Sequence, residues 1–221
     1  MVPKVPEFNS FFIKELMKST WTGLIERYEL SSSVVMSLQR YVQILQQEAQ
    51  KYNLTAILNE RDIIEYHLAD SLEIAAFIAM NKISCLVDVG SGAGFPGLVI
   101  KIVYPHMCVI LLEVIGKRRN FLQKVVDELH LEQVVIDERD WRTFLRTSHE
   151  PLQVVCARAS LAPAELLRMF QPSSPYRHAQ LVYWASEQWK PTERESEFLQ
   201  RTHIYTVGNR KRVLALFSEQ E

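Results

Sequence analysis

From Asp88 to Gly97 the chain reads Asp88-Val89-Gly90-Ser91-Gly92-Ala93-Gly94-Phe95-Pro96-Gly97, and four of its seven glycines fall there. Glycine reaches backbone angles closed to other residues and lets a ligand approach the main chain closely. The preceding run, Ile83 to Val89, is short and apolar, as a buried parallel strand is. Pro96 suits a first helical turn, and Leu98 to Val103 continue as a short apolar helix. Strand, glycine turn and helix start together make a loop of the nucleotide-binding type, with N–H groups free at the helix N-terminus. A second apolar run, Cys108 to Leu112, ends in the acid Glu113. A strand-end carboxylate about 20 residues beyond such glycines meets ribose hydroxyls. It suits a vicinal diol because it accepts two hydrogen bonds. Asp88, Gly90, Ser91, Gly92, Gly94, Phe95 and Glu113 are thus candidate binding residues. The glycines alone would also suit an ordinary βα turn; the acid at this spacing adds the specificity. The dinucleotide fingerprint G-x-G-x-x-G is not met, since it needs glycine at Phe95.

Other residues join on weaker signals. Arg158 stands among small residues, Ala157-Arg158-Ala159, after the apolar run Leu152 to Cys156. That is the carboxyl edge of a sheet, where ligands bind in open α/β folds; a salt-bridged surface arginine is the alternative. His67 and Ser71 lie one turn apart on an expected helix, Arg61 to Met80, either facing the glycine loop or forming a polar edge. Asp140 and Trp141 follow a third strand. Trp141 and Phe95 offer planes for a base, or pack in the core. Lys117, Arg118 and Arg119 crowd the first turn of a helix, where the dipole disfavours cations. Either an anionic partner or a solvated surface cluster accounts for them. Arg210, Lys211 and Arg212 beside a turn extend the basic patch.

The elements that must hold these residues follow from periodicity. Residues 1–80 read as a helical extension. Phe8 to Tyr28 has loosely helical apolar spacing, and Ser31 to Ser33 form an N-cap region before Val34, Val35, Leu38, Tyr41, Val42, Leu45 and Ala49. Residues 81–221 alternate strand and helix, which argues for an open, mainly parallel sheet. Its further strands are Val134 to Ile136, Leu152 to Cys156 and Leu181 to Ala185; a helix runs from Gly116 to about His130 and a short one from Pro163 to Phe170. Ile204 to Val207 and Val213 to Phe217 close it as an antiparallel hairpin, giving seven strands.

At 221 residues the chain is long enough for a sizeable core, and 48% of it is apolar. No apolar run approaches the roughly 20 residues that span a bilayer, and the first residues lack a signal-peptide core. Cys85, Cys108 and Cys156 have no metal or redox spacing and read as buried apolar side chains of a reducing cytosol. The net charge is −1, so any nucleic-acid binding rests on a local patch.

The pattern Asp88-x-Gly-x-Gly-x-Gly with Glu113 resembles the class I S-adenosylmethionine-dependent methyltransferases. Within that class the chain resembles the bacterial 16S ribosomal RNA guanine-N7 methyltransferases, the glucose-inhibited-division B family. Lys51 to Thr55, His67-Leu68-Ala69-Asp70-Ser71, the glycine loop with its Gly-Phe-Pro-Gly ending, Leu112 to Arg118, Ala157-Arg158-Ala159 and Arg210-Lys211-Arg212 carry the likeness. It is strongest over residues 40 to 160. It implies a Rossmann-like domain, residues 81–221, behind a helical extension, residues 1–80. It also implies S-adenosylmethionine as cofactor and a guanine of 16S RNA as acceptor, on free RNA or the small subunit. Gly90, Gly92 and Gly94 would line the methionine part and Glu113 would hold the ribose. Arg158 would face cofactor and RNA together, and Lys117 and Arg118 would meet phosphate. A cytosolic monomer without a metal is expected.

Two stretches depart from the family pattern. After the third strand the family usually has arginine, a small residue and glutamate; here Asp140, Trp141 and Arg142 stand. After the fifth it tends to place a lysine; here Tyr183-Trp184-Ala185-Ser186 has none before Lys190. Methylation of a small molecule or protein, and a cofactor-independent RNA- or ribosome-binding module, are therefore alternatives. Guanine N7 carries an in-plane lone pair, so the reaction needs placement of its reactants and no obligatory general base.

Overall fold

A computed structural model describes residues 21–219; the expected apolar stripe Phe8 to Leu16 lies outside them. Seven strands form one sheet: β1 (Cys85–Val89), β2 (Cys108–Leu112), β3 (Val134–Asp137), β4 (Val154–Arg158), β5 (Gln180–Ser186), β6 (Leu199–Val207) and β7 (Arg210–Phe217). Their order is β3-β2-β1-β4-β5-β7-β6. β1 to β5 pair in parallel, and only β7 runs against its neighbours β5 and β6. Val89, Leu112, Asp137, Arg158 and Ser186 therefore end at one edge, which is where the candidate residues gather.

Strand side chains alternate between faces. Leu86, Val109 and Leu111 face one core, and Val87, Ile110 and Leu112 the other. The first face is covered by α1 (Trp21–Tyr28), α2 (Ser32–Tyr52), α6 (Gly97–Val103) and α7 (Gly116–Glu128). Ser31 caps α2 by accepting the Val34 N–H, and Asn53 ends it in the left-handed region at φ 51°. Leu38, Tyr41, Ile44 and Leu45 are fully buried, so the 3.6-residue periodicity sets which side of α2 meets the sheet. The second face is covered by α8 (Trp141–Thr147), α9 (Pro163–Leu166) and the 3₁₀ turn Leu167–Phe170. A short α10 (Glu193–Ser196), held by a Thr192–Glu195 capping box, leads into β6.

The expected helix Arg61 to Met80 is not continuous. It comprises α3 (Glu60–Ile63), a π-helical turn (Ile64–Ala69), α4 (Asp70–Leu72) and, after a break at Glu73-Ile74, α5 (Ala75–Asn81). π turns occur mostly as single insertions and frequently at functional sites. No helix among the described residues is long and apolar enough to cross a membrane.

Candidate active site

The glycine loop is fastened from beneath. Asp88 is fully buried on β1; its Oδ2 accepts the Gly97 N–H at 3.0 Å, while Oδ1 has no partner. Burial pushes this carboxyl up to about 6, against the opposing effect of the Gly97 N–H. A Cβ at Gly97 would lie 2.4 Å from Leu111 Cδ2 and 2.8 Å from Asp88 Oδ2, so this close approach of helix to strand needs glycine. The Ser91 hydroxyl, also buried, donates to the Asp88 carbonyl at 2.9 Å. Asp88 and Ser91 thus anchor the loop, each through a bond to the backbone from a buried side chain. Gly92 is different. It has φ +58°, and a Cβ there would meet nothing nearer than the Gly90 carbonyl at 3.9 Å.

Glu113 closes the loop from the side. Its Oε2 accepts the Gly92 N–H and its Oε1 the Ile115 N–H, each at 2.9 Å. A carboxylate has about four acceptor positions, so two remain for a diol. With the open face of Gly92 beside it, the pair fits a ribose-bearing cofactor. Of the basic cluster on α7, only part faces outward. Arg119 donates from Nη1 to the carbonyls of Glu113 (3.1 Å) and Val114 (2.8 Å), and from Nη2 to Glu138 at 3.1 Å. It therefore clamps the end of β2, which corrects its expected role as an RNA contact and explains a cation at that helix start. Arg118 stands 3.7 Å from Glu113, and Lys117 is exposed.

A buried hub sits across the sheet edge. Asp70, 2% exposed, accepts Arg158 Nη1 on Oδ2 at 2.7 Å and the Tyr205 hydroxyl on Oδ1 at 2.6 Å. Arg212 Nη2 lies 3.5 Å away, and the Trp184 indole donates to the Asp70 carbonyl at 2.8 Å. Burial, then the Asp70 charge, pushes the Tyr205 phenol well up, so it stays a donor. Arg158 also donates to the Tyr66 carbonyl at 3.1 Å, and its Nη2 is 3.0 Å from His67 Nδ1. A guanidinium only donates. His67 Nδ1 is therefore the acceptor, and the ring proton sits on Nε2, 3.0 Å from Thr55 Oγ1. Burial, with Arg158 alongside, pulls the His67 pKa down to about 3, so the ring is neutral at physiological pH. The ring stacks on Phe95 at 4.5 Å, and the Arg158 guanidinium lies 5.3 Å over the same phenyl.

These groups border a pocket of about 180 Å³, whose walls include Tyr66, His67, Asp70, Arg158, Arg210 and Arg212. Phe95 is 5% exposed beneath His67 and Arg158, so it supports them and offers no free face to a base. Ser71 is fully buried and donates to the His67 carbonyl at 2.6 Å, so its hydroxyl is engaged within its own helical turn. Arg210 lies 4.7 Å over the Tyr66 ring, and Lys211 stands 3.4 Å from Glu187.

The residues after β3 are structural. Asp140 caps α8, accepting the Thr143 N–H at 2.9 Å and the Thr143 hydroxyl at 3.0 Å. Trp141 is 3% exposed; its indole donates to the Glu165 carbonyl at 3.3 Å, and its ring packs on Phe144. Of the two readings of Trp141, a plane for a base or core packing, the structure shows the second: its ring lies in the second core. Asp140 remains exposed, with both carboxylate oxygens engaged in the cap. The sequence reading overlooked Asp70, Tyr66, Tyr205 and Thr55 as site residues. Asp70, three residues after His67 on a helix, had a usable signal; Tyr205 had none.

Among solved structures the chain is similar to a methyltransferase from Geobacter sulfurreducens (TM-score 0.61, 13% identity, 97% of this chain and 99% of that one). It is also similar to magnesium protoporphyrin IX methyltransferase from Synechocystis with bound SAH (TM-score 0.54, 14% identity, 81% and 100%). At such identities the likeness concerns the fold. Ribosomal RNA small subunit methyltransferase G of Leuconostoc citreum is 39% identical over 109 residues, 48% of this chain and 46% of that protein. The chain thus spans about half the length of that curated relative. Residues 35–212, which include the glycine loop, Glu113 and the Asp70–Arg158 hub, match the GidB family, rRNA small subunit methyltransferase G, and the chain belongs to that family.

Proposed function

We propose that the chain transfers a methyl group to N7 of a guanine in 16S ribosomal RNA, acting as a monomer in the cytosol with S-adenosylmethionine as its cofactor. The observation that carries this reading is the Glu113 carboxylate accepting the N–H of the open Gly92 at 2.9 Å, at the sheet edge where β4 and its Arg158 also end. The cofactor supplies, when bound, an electrophilic sulfonium methyl. Glu113 would hold its ribose with the two acceptor positions left over, and Gly92, whose Cβ position is open, would admit its methionine part against the backbone, while Gly90 and Gly94 let the loop pack against Ser160 and Leu98. Arg158, fixed by Asp70 and His67, would orient the acceptor base with N–H donors on the wall of the pocket.

Neutral His67 fits a nucleophile that already carries a lone pair and has no proton to surrender. The chain's contribution is then alignment of N7 with the methyl, an effect worth up to about 7–11 kcal/mol in favourable systems. The target base must be unpaired or splayed out for that edge to reach the pocket. Residues 1–80 would act as an extension that completes the acceptor side, since His67 and Asp70 come from it.

Calorimetric titration with S-adenosylmethionine tests the cofactor assignment. Single-site micromolar binding, weakened at least several-fold by Glu113→Ala, is expected. Unchanged affinity in that variant refutes the role given to Glu113. Transfer of labelled methyl to 16S RNA, mapped to a guanine N7, tests the acceptor. Labelling of a protein or small molecule instead would favour the alternative substrates.

A further inference from the structure

On the second face of the sheet, away from the pocket at Arg158, lies a groove of about 590 Å³. Its walls include Arg142, Arg146, His149, Arg168, Gln171 and Ser173, with no carboxylate among the lining residues. The nearest acid is Glu165, on α9. Arg142 donates to it from Nε at 2.6 Å and from Nη2 at 3.0 Å, and Arg168 Nε lies 2.9 Å from Oε1. One carboxylate thus serves two guanidiniums and holds them side by side at the rim. Arg142 keeps 63% of its side chain exposed and Arg168 44%, so both retain free N–H donors. Arg146 has no carboxylate within 4 Å among the described residues and reaches only the Thr143 hydroxyl, at 3.4 Å. At the other sheet edge Arg119 is held by Glu138 and two carbonyls and Arg212 by Asp70, while Lys117 and Lys211 stay exposed.

We infer that the groove formed by Arg142, Arg146 and Arg168 is a second RNA-binding site, which holds phosphodiester backbone of the substrate RNA apart from the acceptor nucleotide. The inference rests on the reading of the chain as an RNA methyltransferase and gives that reading a second anchor. A guanidinium fork matches phosphate oxygens bidentately. Gln171 and Ser173 add neutral donors of the kind that contact phosphate and sugar without reading sequence. Its volume, about 590 Å³, lies in the range of small-ligand sites. Arg142 stands where the family pattern has glutamate, so the site belongs to this chain's own departure after β3. It supplies local positive charge to a protein whose net charge is only −1.

The test is binding of a labelled 16S RNA fragment to the full chain across a salt series, for wild type, Arg146→Gln, Arg168→Gln, the double variant and Arg146→Lys. Each lost phosphate contact should lower the slope of log K against log salt by about 0.7–0.9. We expect the glutamine variants to lose affinity several-fold with that drop in slope, the double variant to lose more, and Arg146→Lys to keep most of the slope. S-Adenosylmethionine affinity, read separately, should stay at the wild-type value in all. RNA binding and methylation by wild type with unchanged slopes in the double variant would overturn the inference and leave the methyltransferase reading standing. Absence of RNA binding by wild type would overturn both. Unchanged slopes on RNA combined with weaker binding to intact small subunits would assign the groove to a subunit protein and so overturn the RNA assignment.

Discussion

Replacing Asp70 by asparagine probes the hub while preserving its shape. Two carboxylate oxygens serve two donors, Tyr205 on Oδ1 at 2.6 Å and Arg158 on Oδ2 at 2.7 Å. Asparagine keeps one acceptor. Arg158 cannot accept a hydrogen bond, so the amide oxygen must turn to it, and the NH₂ group must face Tyr205, whose hydroxyl reverses to become the acceptor. Both contacts survive, but neither is charge-assisted by the carboxylate. Hydrogen bonds to charged groups contribute about 1.5–3 kcal/mol and neutral ones about 0.5–1.5 kcal/mol. The Tyr205 bond becomes neutral, which costs about 1–1.5 kcal/mol; the Arg158 bond keeps its charged donor and loses the counter-charge, which brings the expected cost to about 2–3 kcal/mol. That loss leaves Arg158 beside Arg212. Asp70→Ala removes the acceptor outright and should cost about 3–5 kcal/mol, the range for a broken buried pair. Urea unfolding followed by tryptophan fluorescence measures this from the shift in midpoint at constant slope. Arg158→Met completes a double-mutant cycle, in which the coupling should be at least about 1.5 kcal/mol because the second change removes the stranded charge. A cost below about 1 kcal/mol for Asp70→Asn, or simple additivity with Arg158→Met, would show that solvent screens the pair and that Asp70 does not hold Arg158 in place.

Two buried groups should give opposite pH dependences. His67 has a folded pKa of about 3 against an ordinary 6.5, so its stabilising contribution is complete above pH 6.5 and is lost as pH falls toward 3. Asp88 has a folded pKa of about 6 against 3.8, so its contribution is complete below pH 3.8 and is lost as pH rises through 6. Melting temperatures across pH 3–8 should therefore lose part of their acid decline in His67→Gln, and Asp88→Asn should gain relative to wild type above pH 6. Parallel profiles for wild type and both variants would contradict the burial argument. Gly97→Ala forces a methyl against Leu111 and Asp88 and should destabilise by about 1–3 kcal/mol. A wild-type urea midpoint in that variant would mean that α6 is not pinned to β1 as described.

Much of the frame is local, and the sequence determines it. The apolar runs place β1, β2 and β5 to within a residue or two, because a strand buried on both faces reads as a nearly continuous apolar run, Asp88 being the exception in β1. The Gly90 to Gly97 cluster and Glu113 are legible because a loop that brings backbone N–H groups to a ligand needs glycine at fixed intervals, and the acid follows one βα unit later. What the sequence does not determine is which polar atoms remain free. Asp88, Ser91 and Glu113 are all polar residues around one loop, yet Asp88 and Ser91 fasten it to β1 and α6 from beneath while Glu113 binds the N–H groups of Gly92 and Ile115, a difference set by which backbone group lies opposite each side chain. Trp141 could be read as a stacking plane or as core, and only the packing of α8, which sets it on Phe144, decides for core. Arg119 looked like an RNA contact and is a clamp on strand-end carbonyls. The hub needs Asp70, Arg158 and Tyr205 from segments 88 and 135 residues apart. A π turn sets the direction of the first, and the crossing to β7 and β6 brings in the last. Periodicity reports which side of an element is apolar; it carries no information about which distant polar side chain will meet it, and only the closed sheet with its packed helices decides that.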